Sequence, residues 1–334
     1  MHITDIITSV EKIPLKTPFI TALRRVENVE FIRVKIFYSN GEFTYGEAPA
    51  TKAITGETLE TIENSIKEIT PCFIGNSPKK ALDILHKQNI GNSAKAALDI
   101  ALCEQFYLLK IENNSPIETD ITISLDSVEK MLHDAQEAYN NSMNYLKIKL
   151  GKDIFHAIEV TQVISSALPK AKLLIDANQA WSYKESLQYI TETSNCRLEL
   201  IEQPVTAQDL ESLAKLTKKS NTPILADEAV FTLEDVKSVM QKNCADMINI
   251  KLMKCGGISK AIEILEYARE YKITCMLGSM LEGPYSINAA IKLAFVYRDV
   301  IKYVDLDSPL LYKNQSNELS YDLKGSSYTV KKSI

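Results

Sequence analysis

Histidine is scarce in this 334-residue chain, four in all, and the six cysteines include no CxxC pair. Neither makes a zinc pattern, and the cysteines read as reduced thiols, mostly in the core. Basic excess is also missing: 38 Lys and Arg stand against 43 Asp and Glu, a formal net charge of −5. Such a balance leaves no electrostatic footprint for nucleic acid. No run of 18 apolar residues occurs, and the opening MHITDIITSVEKIPL lacks the charged start and long apolar stretch of a secretory signal. A soluble cytoplasmic protein with no membrane partner is the expectation. Gly256-Gly257 lacks the GxGxxG pattern and reads first as a strand-to-helix turn.

What is present is a series of apolar runs that each end in a charge: YLKIK at Lys149, KLLID at Asp176, LELIE at Glu202, PILAD at Asp227 and MINIK at Lys251. The intervals from Asp176 to Lys251 are 26, 25 and 24 residues, the length of one strand, one helix and two short loops. In an open sheet with strands about 4.8 Å apart the first and last of these ends would be roughly 20 Å from each other. Closing the sheet brings all five around one mouth, the C-terminal face of a (β/α) barrel. Further runs at ITISL, ITCMLG and KYVDLD bring the strands to eight, and no strong eighth helix follows. The expected fold is therefore α/β, a (β/α)₇β TIM-like barrel over about residues 116–309.

Before it, residues 3–12, 29–39 and 42–48 read as strands, the last two joined by an Asn40-Gly41 hairpin turn. Helical patterns follow at about 57–69, 79–88 and 93–110. Residues 1–115 thus form an α+β unit, and the tail from about 310 to 334 is expected to return to it. Between the first two strands PFITALRRVENVE reads as a loop; its Arg24 and Arg25 are solvated or, in a lid, grip an anion.

Asp176, Glu202 and Asp227 end three successive strands. Any one alone reads as a solvated strand end, but three at barrel spacing give the hard oxygen set that Mg²⁺ requires. Lys147 and Lys149 share one face of their strand, as do Asn249 and Lys251. Facing the helices they would be buried among apolar groups at a cost of roughly 1–3 kcal/mol or more each, so the barrel interior is the cheaper place. Lys149 and Lys251, on the second and sixth strands, then stand on opposite sides of the ring. Two lysines beside a divalent cation suit proton abstraction next to a carboxylate, with Mg²⁺ and Lys147 lowering the pKa of Lys149. Asp246, five residues before Lys251, belongs at the opposite rim in a structural role.

KIK, DAN, EQP, DE and KLMKCGG, in this order and spacing, resemble the muconate-lactonising subgroup of the enolase superfamily, and within it dipeptide epimerases of the L-Ala-D/L-Glu type. The likeness extends to TALRR, GEAPATKAITGET, SAKAALDIAL, GSMLE and DLD. It implies a capping domain over the barrel, one Mg²⁺ on Asp176, Glu202 and Asp227, Lys149 and Lys251 as the acid/base pair, and Lys147 on the substrate carboxylate. It further implies that Asp305 and Asp307 capture the α-ammonium, that Arg24 meets a glutamate side chain, that Thr122, Ser279 and Met280 line the pocket, and that Asn178 and Glu228 stand behind the ligands. The implied reaction is epimerisation of L-Ala-L-Glu and related acidic dipeptides, as in cell wall peptide metabolism. An N-succinylamino acid racemase or o-succinylbenzoate synthase-like enzyme is the alternative, and a ligand-binding barrel without turnover the non-enzymatic one. The partner is a small-molecule dipeptide; a homo-oligomer stays open. The linker LLKIENNSPIETD departs from the family by being short and lacking a Leu-Gly-Gly turn.

Overall fold

The computed structural model describes every residue except 22–24, 105–108 and 332–334. Its first part is an antiparallel sheet of β1 (Ile3–Ile20), β2 (Arg25–Tyr38) and β3 (Phe43–Pro49). Four helices follow: α1 (Lys52–Thr55), α2 (Leu59–Ile69), α3 (Pro78–Leu85) and α4 (Asn92–Cys103). The Asn40-Gly41 turn closes as expected, with Gly41 N donating to Tyr38 O at 3.0 Å. The stretch expected as a loop is different: past a register shift between Pro14 and Phe19, the strands pair again at Phe19 with Val26 and Ile20 with Arg25. The shift and the run of half-buried residues Pro18, Phe19 and Ile20 break the alternation of β1, and β2 opens on polar residues, Arg25 lying near Glu27 at 3.6 Å, so the pairing is not apparent in the sequence. Arg24 lies outside the described residues.

After β4 (Ile117–Glu118) the chain alternates through β5 (Ile121–Ile123), α5 (Val128–Asn140), β6 (Tyr145–Lys149), α6 (Ile154–Ala167), β7 (Lys172–Asp176) and α7 (Tyr183–Glu192). It continues with β8 (Leu198–Glu202), α8 (Leu210–Lys219), β9 (Ile224–Ala226), α9 (Leu233–Gln241), β10 (Met247–Lys251) and α10 (Leu252–Cys255). The last repeats are α11 (Ile258–Tyr271), β11 (Thr274–Gly278), α12 (Pro284–Val296), β12 (Ile301–Asp305) and the four-residue α13 (Ser308–Leu311). Strands β5 to β12 are parallel neighbours in one eight-stranded sheet. The seam between its two ends is held at Asp120 and Thr119. Asp120 N donates to Val304 O at 2.9 Å, and Leu306 N donates to the Thr119 hydroxyl at 2.8 Å. This is the eight-stranded barrel expected from the sequence, and among the described residues no long helix follows its last strand.

The tail touches both parts. Tyr312 bridges Leu15, and Glu318 forms a two-pronged pair with Arg33 at 2.9 and 2.7 Å. β13 (Tyr321–Lys324) and β14 (Ser327–Val330) make a small sheet with β4.

The helices α11 and α12 begin with glycine, Gly257 and Gly283, and neither glycine supplies a capping side chain. Their first N–H groups need acceptors, and these come from the N-terminal part. Asp99 of α4 accepts from Ser259 N at 3.1 Å and from the Ser259 hydroxyl. Glu47 of β3 accepts from Tyr285 N at 2.7 Å and Ser286 N at 3.3 Å while paired to Arg33 at 2.8 Å. Two buried carboxylates thereby fix the N-terminal part over the barrel mouth.

Candidate active site

The polar residues of the barrel interior form a layer because strand side chains repeat with period two. In the ladder Lys149 pairs with Asp176 and Asp176 with Glu202; across the barrel Lys251 pairs with Gly278 and Gly278 with Asp305. Two residues earlier on their strands, Leu174, Leu200, Leu225, Met276 and Tyr303 join Met247, four residues before Lys251, in a separate buried apolar cluster. That plug closes the barrel below, so the charged layer opens only toward the mouth. Among the described residues, no helix is long and apolar enough to cross a membrane.

Within the layer each carboxylate meets an ammonium. Lys149 Nζ lies 2.5 Å from Asp176 Oδ2, and Lys251 Nζ lies 2.6 Å from Asp227 Oδ2. Lys147, fully buried, is shared among Asp305 at 2.6 Å, Glu202 at 2.7 Å and Asp176 at 3.3 Å. Burial alone would raise the pKa of Asp176, but Lys149, Lys147 and Lys251 draw it down to about 2. The same opposition holds Asp227 well below the carboxylate range, where Lys251 and Lys254 outweigh its burial. Lys251 itself is pushed above its ordinary value: burial disfavours the cation, but Asp227 and Glu202 more than offset that. Lysines β6 and β10 contribute stand four strands apart in the eight-stranded sheet, facing each other across the mouth.

The lysines do not neutralise the whole ring. Burial and Asp176 push Glu202 up to about 7, and burial, Asp227 and Asp176 push Glu228 up to about 8. Glu228 Oε2 is buried and has no hydrogen-bond partner among the described residues. A set of buried carboxylates that raise one another's pKa, with an unpartnered oxygen among them, is an all-oxygen donor set of the kind a hard divalent cation takes. The residues therefore fit Mg²⁺.

Behind the ring, Asn249 Nδ2 donates to Glu202 Oε1 at 2.8 Å and Asn178 N donates to Asp176 Oδ1 at 2.9 Å. Gln203 accepts from Asp227 N and Ala229 N at 2.9 and 3.1 Å. Lys254 was not singled out from the sequence. Its buried ammonium donates to Asp227 Oδ1 and to the carbonyls of Asp227 and Asn249, at 2.5, 2.5 and 2.9 Å. Its place three residues after Lys251 in KLMK was the available signal. Asp246 sits at the start of β10 and accepts from Ile224 N at 2.8 Å, far from the mouth as expected.

A cavity opens above the layer. Lys149, Lys251, Asp227, Asp305 and Asp307 reach it from the barrel, joined by Thr122, Ser279 and Met280. Asn178 and Glu228, expected behind the ligands, also line it, whereas Lys147, Asp176 and Glu202 lie beneath. Thr122 N donates to Asp307 Oδ2 at 2.8 Å, and Ser279 N donates to Asp305 O at 3.0 Å. Phe19 and Thr21 of the first hairpin and Thr51 and Ile54 around α1 roof the cavity.

Comparison with known proteins agrees with this geometry. Residues 130–332 match the family model described as enolase C-terminal domain-like. The chain is 53% identical to the L-amino acid-D/L-Glu epimerase of Sulfurimonas denitrificans over 97% of its own length and 98% of the relative's. Among solved structures it resembles a substrate-liganded L-Ala-D/L-Glu epimerase from Bacillus subtilis, with a TM-score of 0.92, 37% identity and coverage of 99% and 97% of the two chains. It likewise resembles a dipeptide epimerase from Enterococcus faecalis complexed with Mg and L-Leu-L-Tyr, with a TM-score of 0.93, 33% identity and coverage of 99% and 98%. A barrel whose mouth sets two lysines against a carboxylate ring, under relatives of this similarity, makes the chain a member of the enolase superfamily, among its dipeptide epimerases.

Proposed function

We propose that this isomerase epimerises dipeptides by moving a proton on and off the α-carbon of the second residue, with L-Ala-L-Glu and related acidic dipeptides as its preferred substrates. The observation that carries the reading is the pair Lys149 and Lys251, opposed across one mouth and each seated on a carboxylate. An α-carbon held between them meets one amine on each face. One lysine in its neutral form takes the proton, and the other, protonated, delivers one to the opposite face, so configuration inverts and the proton count is conserved. Asp176, Glu202 and Asp227 would hold one Mg²⁺. When bound, it supplies positive charge next to the substrate carboxylate and makes the α-proton more acidic.

The remaining residues orient the dipeptide. Lys147, beneath the floor, adds positive charge on the carboxylate side. Asp305 and Asp307 take the α-ammonium through charge-assisted hydrogen bonds. Thr122, Ser279 and Met280 complete the wall around it. Arg24, which lies outside the described residues, is assigned to the second side chain by the resemblance of TALRR and would set the preference for glutamate. In this reading residues 1–115 act as the cap and 116–309 as the catalytic barrel.

The test is incubation of a library of L,L-dipeptides with enzyme and Mg²⁺ in D₂O, followed by mass and chiral analysis. L-Ala-L-Glu should gain one deuterium and appear as both epimers, while N-succinyl amino acids should not react. Arg24→Met should lower kcat/KM for Ala-Glu by roughly 10²-fold, the loss of one guanidinium–carboxylate pair, and spare Ala-Leu. A wild type that prefers an apolar second residue would remove the glutamate assignment and leave the epimerase reading standing.

A further inference from the structure

Asp120 is a buried acid with no assigned work. It lies two residues before Thr122 at the edge of β5, is 1% exposed, and neither carboxyl oxygen has a hydrogen-bond partner among the described residues. Ligand oxygens of Asp120, Asp305 and Asp307 lie within 4.8 Å of one another. Asp305 and Asp307 line the cavity and Asp120 does not, so the third carboxyl stands behind the acidic pair.

The charges that face Asp120 are few. Asp305 and Asp307 come from the end of β12, and Lys147 and Lys149 from β6. Lys147 is already divided among Asp305, Glu202 and Asp176, and Lys149 sits on Asp176. Asp307 is bonded by Thr122 N rather than by a cation. Three buried carboxyl groups this close, with part of one ammonium between them, do not all ionise; a proton stays in the cluster. Burial and the neighbouring carboxylates accordingly push Asp307 up to about 6 and Asp120 well above its ordinary range.

We propose that Asp120 is a positioning residue that sets the charge of the Asp305–Asp307 pair, so that a free amino group on the substrate enters as the missing cation and one proton leaves the cluster. The proposal rests on the dipeptide reading given above. It assigns discrimination between free and N-acylated dipeptides to three carboxyl groups instead of two, the third acting through the others without touching substrate. An N-acyl group brings no charge, so the cluster keeps its proton and the binding gain is lost.

Two measurements test this on the full-length, Mg²⁺-loaded enzyme. The first is calorimetry at pH 6 in two buffers of different ionisation heat, titrating an L-Ala-D/L-Glu mixture already at epimeric equilibrium so that turnover adds no heat. Wild type should release protons on binding, and Asp120→Asn should release fewer. The second is the ratio of kcat/KM for L-Ala-L-Glu to that for its N-acetyl form. It should fall roughly tenfold or more in Asp120→Asn, the effect of removing one close buried charge, mainly through a higher KM for the free dipeptide. Proton-neutral binding by wild type overturns the assignment even if the variant does not fold. So does an unchanged ratio in a folded variant. A wild type that epimerises no dipeptide instead defeats the functional reading, and this assignment falls with it.

Discussion

A β-carbon on Gly283 would lie 2.5 Å from Oε2 of Glu47, so the N-cap of α12 is kept empty for a side chain that arrives from β3. Glu47 is not free to retreat, since it is held by Arg33 and by the N–H groups of Tyr285 and Ser286. Phe31 blocks the other side at 2.7 Å. The helix that follows the Ser279–Met280 wall is thus started by a residue more than 200 positions earlier in the chain.

Gly283→Ala should therefore destabilise the fold by about 1–3 kcal/mol, the usual cost of overpacking. In a Glu47→Ala background the same change should cost less, only the contact with Phe31 remaining. Urea unfolding of the four proteins checks this, and additive effects would mean that the contact is not the cause.

Asp99 gives a pH dependence. Its carboxyl is fully buried with no ion pair among the described residues, and burial pushes it from 3.8 to about 6 despite the bonds from Ser259. The folded state then binds the proton more tightly than the unfolded state. The stability it contributes is present below pH 3.8 and is lost as pH rises through about 6. At neutral pH the loss corresponds to roughly 3 kcal/mol. Asp99→Asn should flatten the fall in unfolding free energy between pH 4 and 6 relative to wild type. Parallel curves for the two proteins would refute the assignment.

The two lysines separate by face. Lys149→Ala and Lys251→Ala should each lower epimerisation by roughly 10²–10⁴-fold, the usual worth of a positioned acid or base. Each should still exchange the α-proton of one epimer with D₂O, and the two variants should favour opposite epimers. Deuterium entering both epimers equally in either variant would rule out opposed bases.

Metal dependence is a separate matter. EDTA should abolish turnover and Mg²⁺ restore it, and Asp176→Asn, Glu202→Gln and Asp227→Asn should each reduce the bound Mg²⁺ found by elemental analysis. Undiminished activity in metal-free enzyme would end the Mg²⁺ assignment.

Much of the site was legible because strands carry a period-two code. Lys147 with Lys149, Asn249 with Lys251 and Asp305 with Asp307 each lie on one face of a strand, and in the fold each pair belongs to the barrel interior. The same parity links Asp120 to Thr122, but β5 is only three residues long and its first acid lies just outside it. The caps from Asp99 to α11 and from Glu47 to α12 were not legible, since they join residues 160 and 239 positions apart and no local pattern reports such a contact. The long hairpin of β1 and β2 was hidden for another reason. On its outer part Pro18, Phe19 and Ile20 are consecutive half-buried residues in β1, so that strand leaves no period-two alternation to read, and opposite them β2 is mostly polar.

The glycine-started helices also bear on how the chain is made. Glu47 and Asp99 leave the ribosome long before α11 and α12, and N-terminal units generally fold first during synthesis. The last two long helices of the barrel therefore emerge onto acceptors already in place. Translated without its first hundred residues, the barrel would begin those helices with buried N–H groups and no carboxylate to receive them. The cap is in that sense a template for the final quarter of the chain as well as a roof for its mouth.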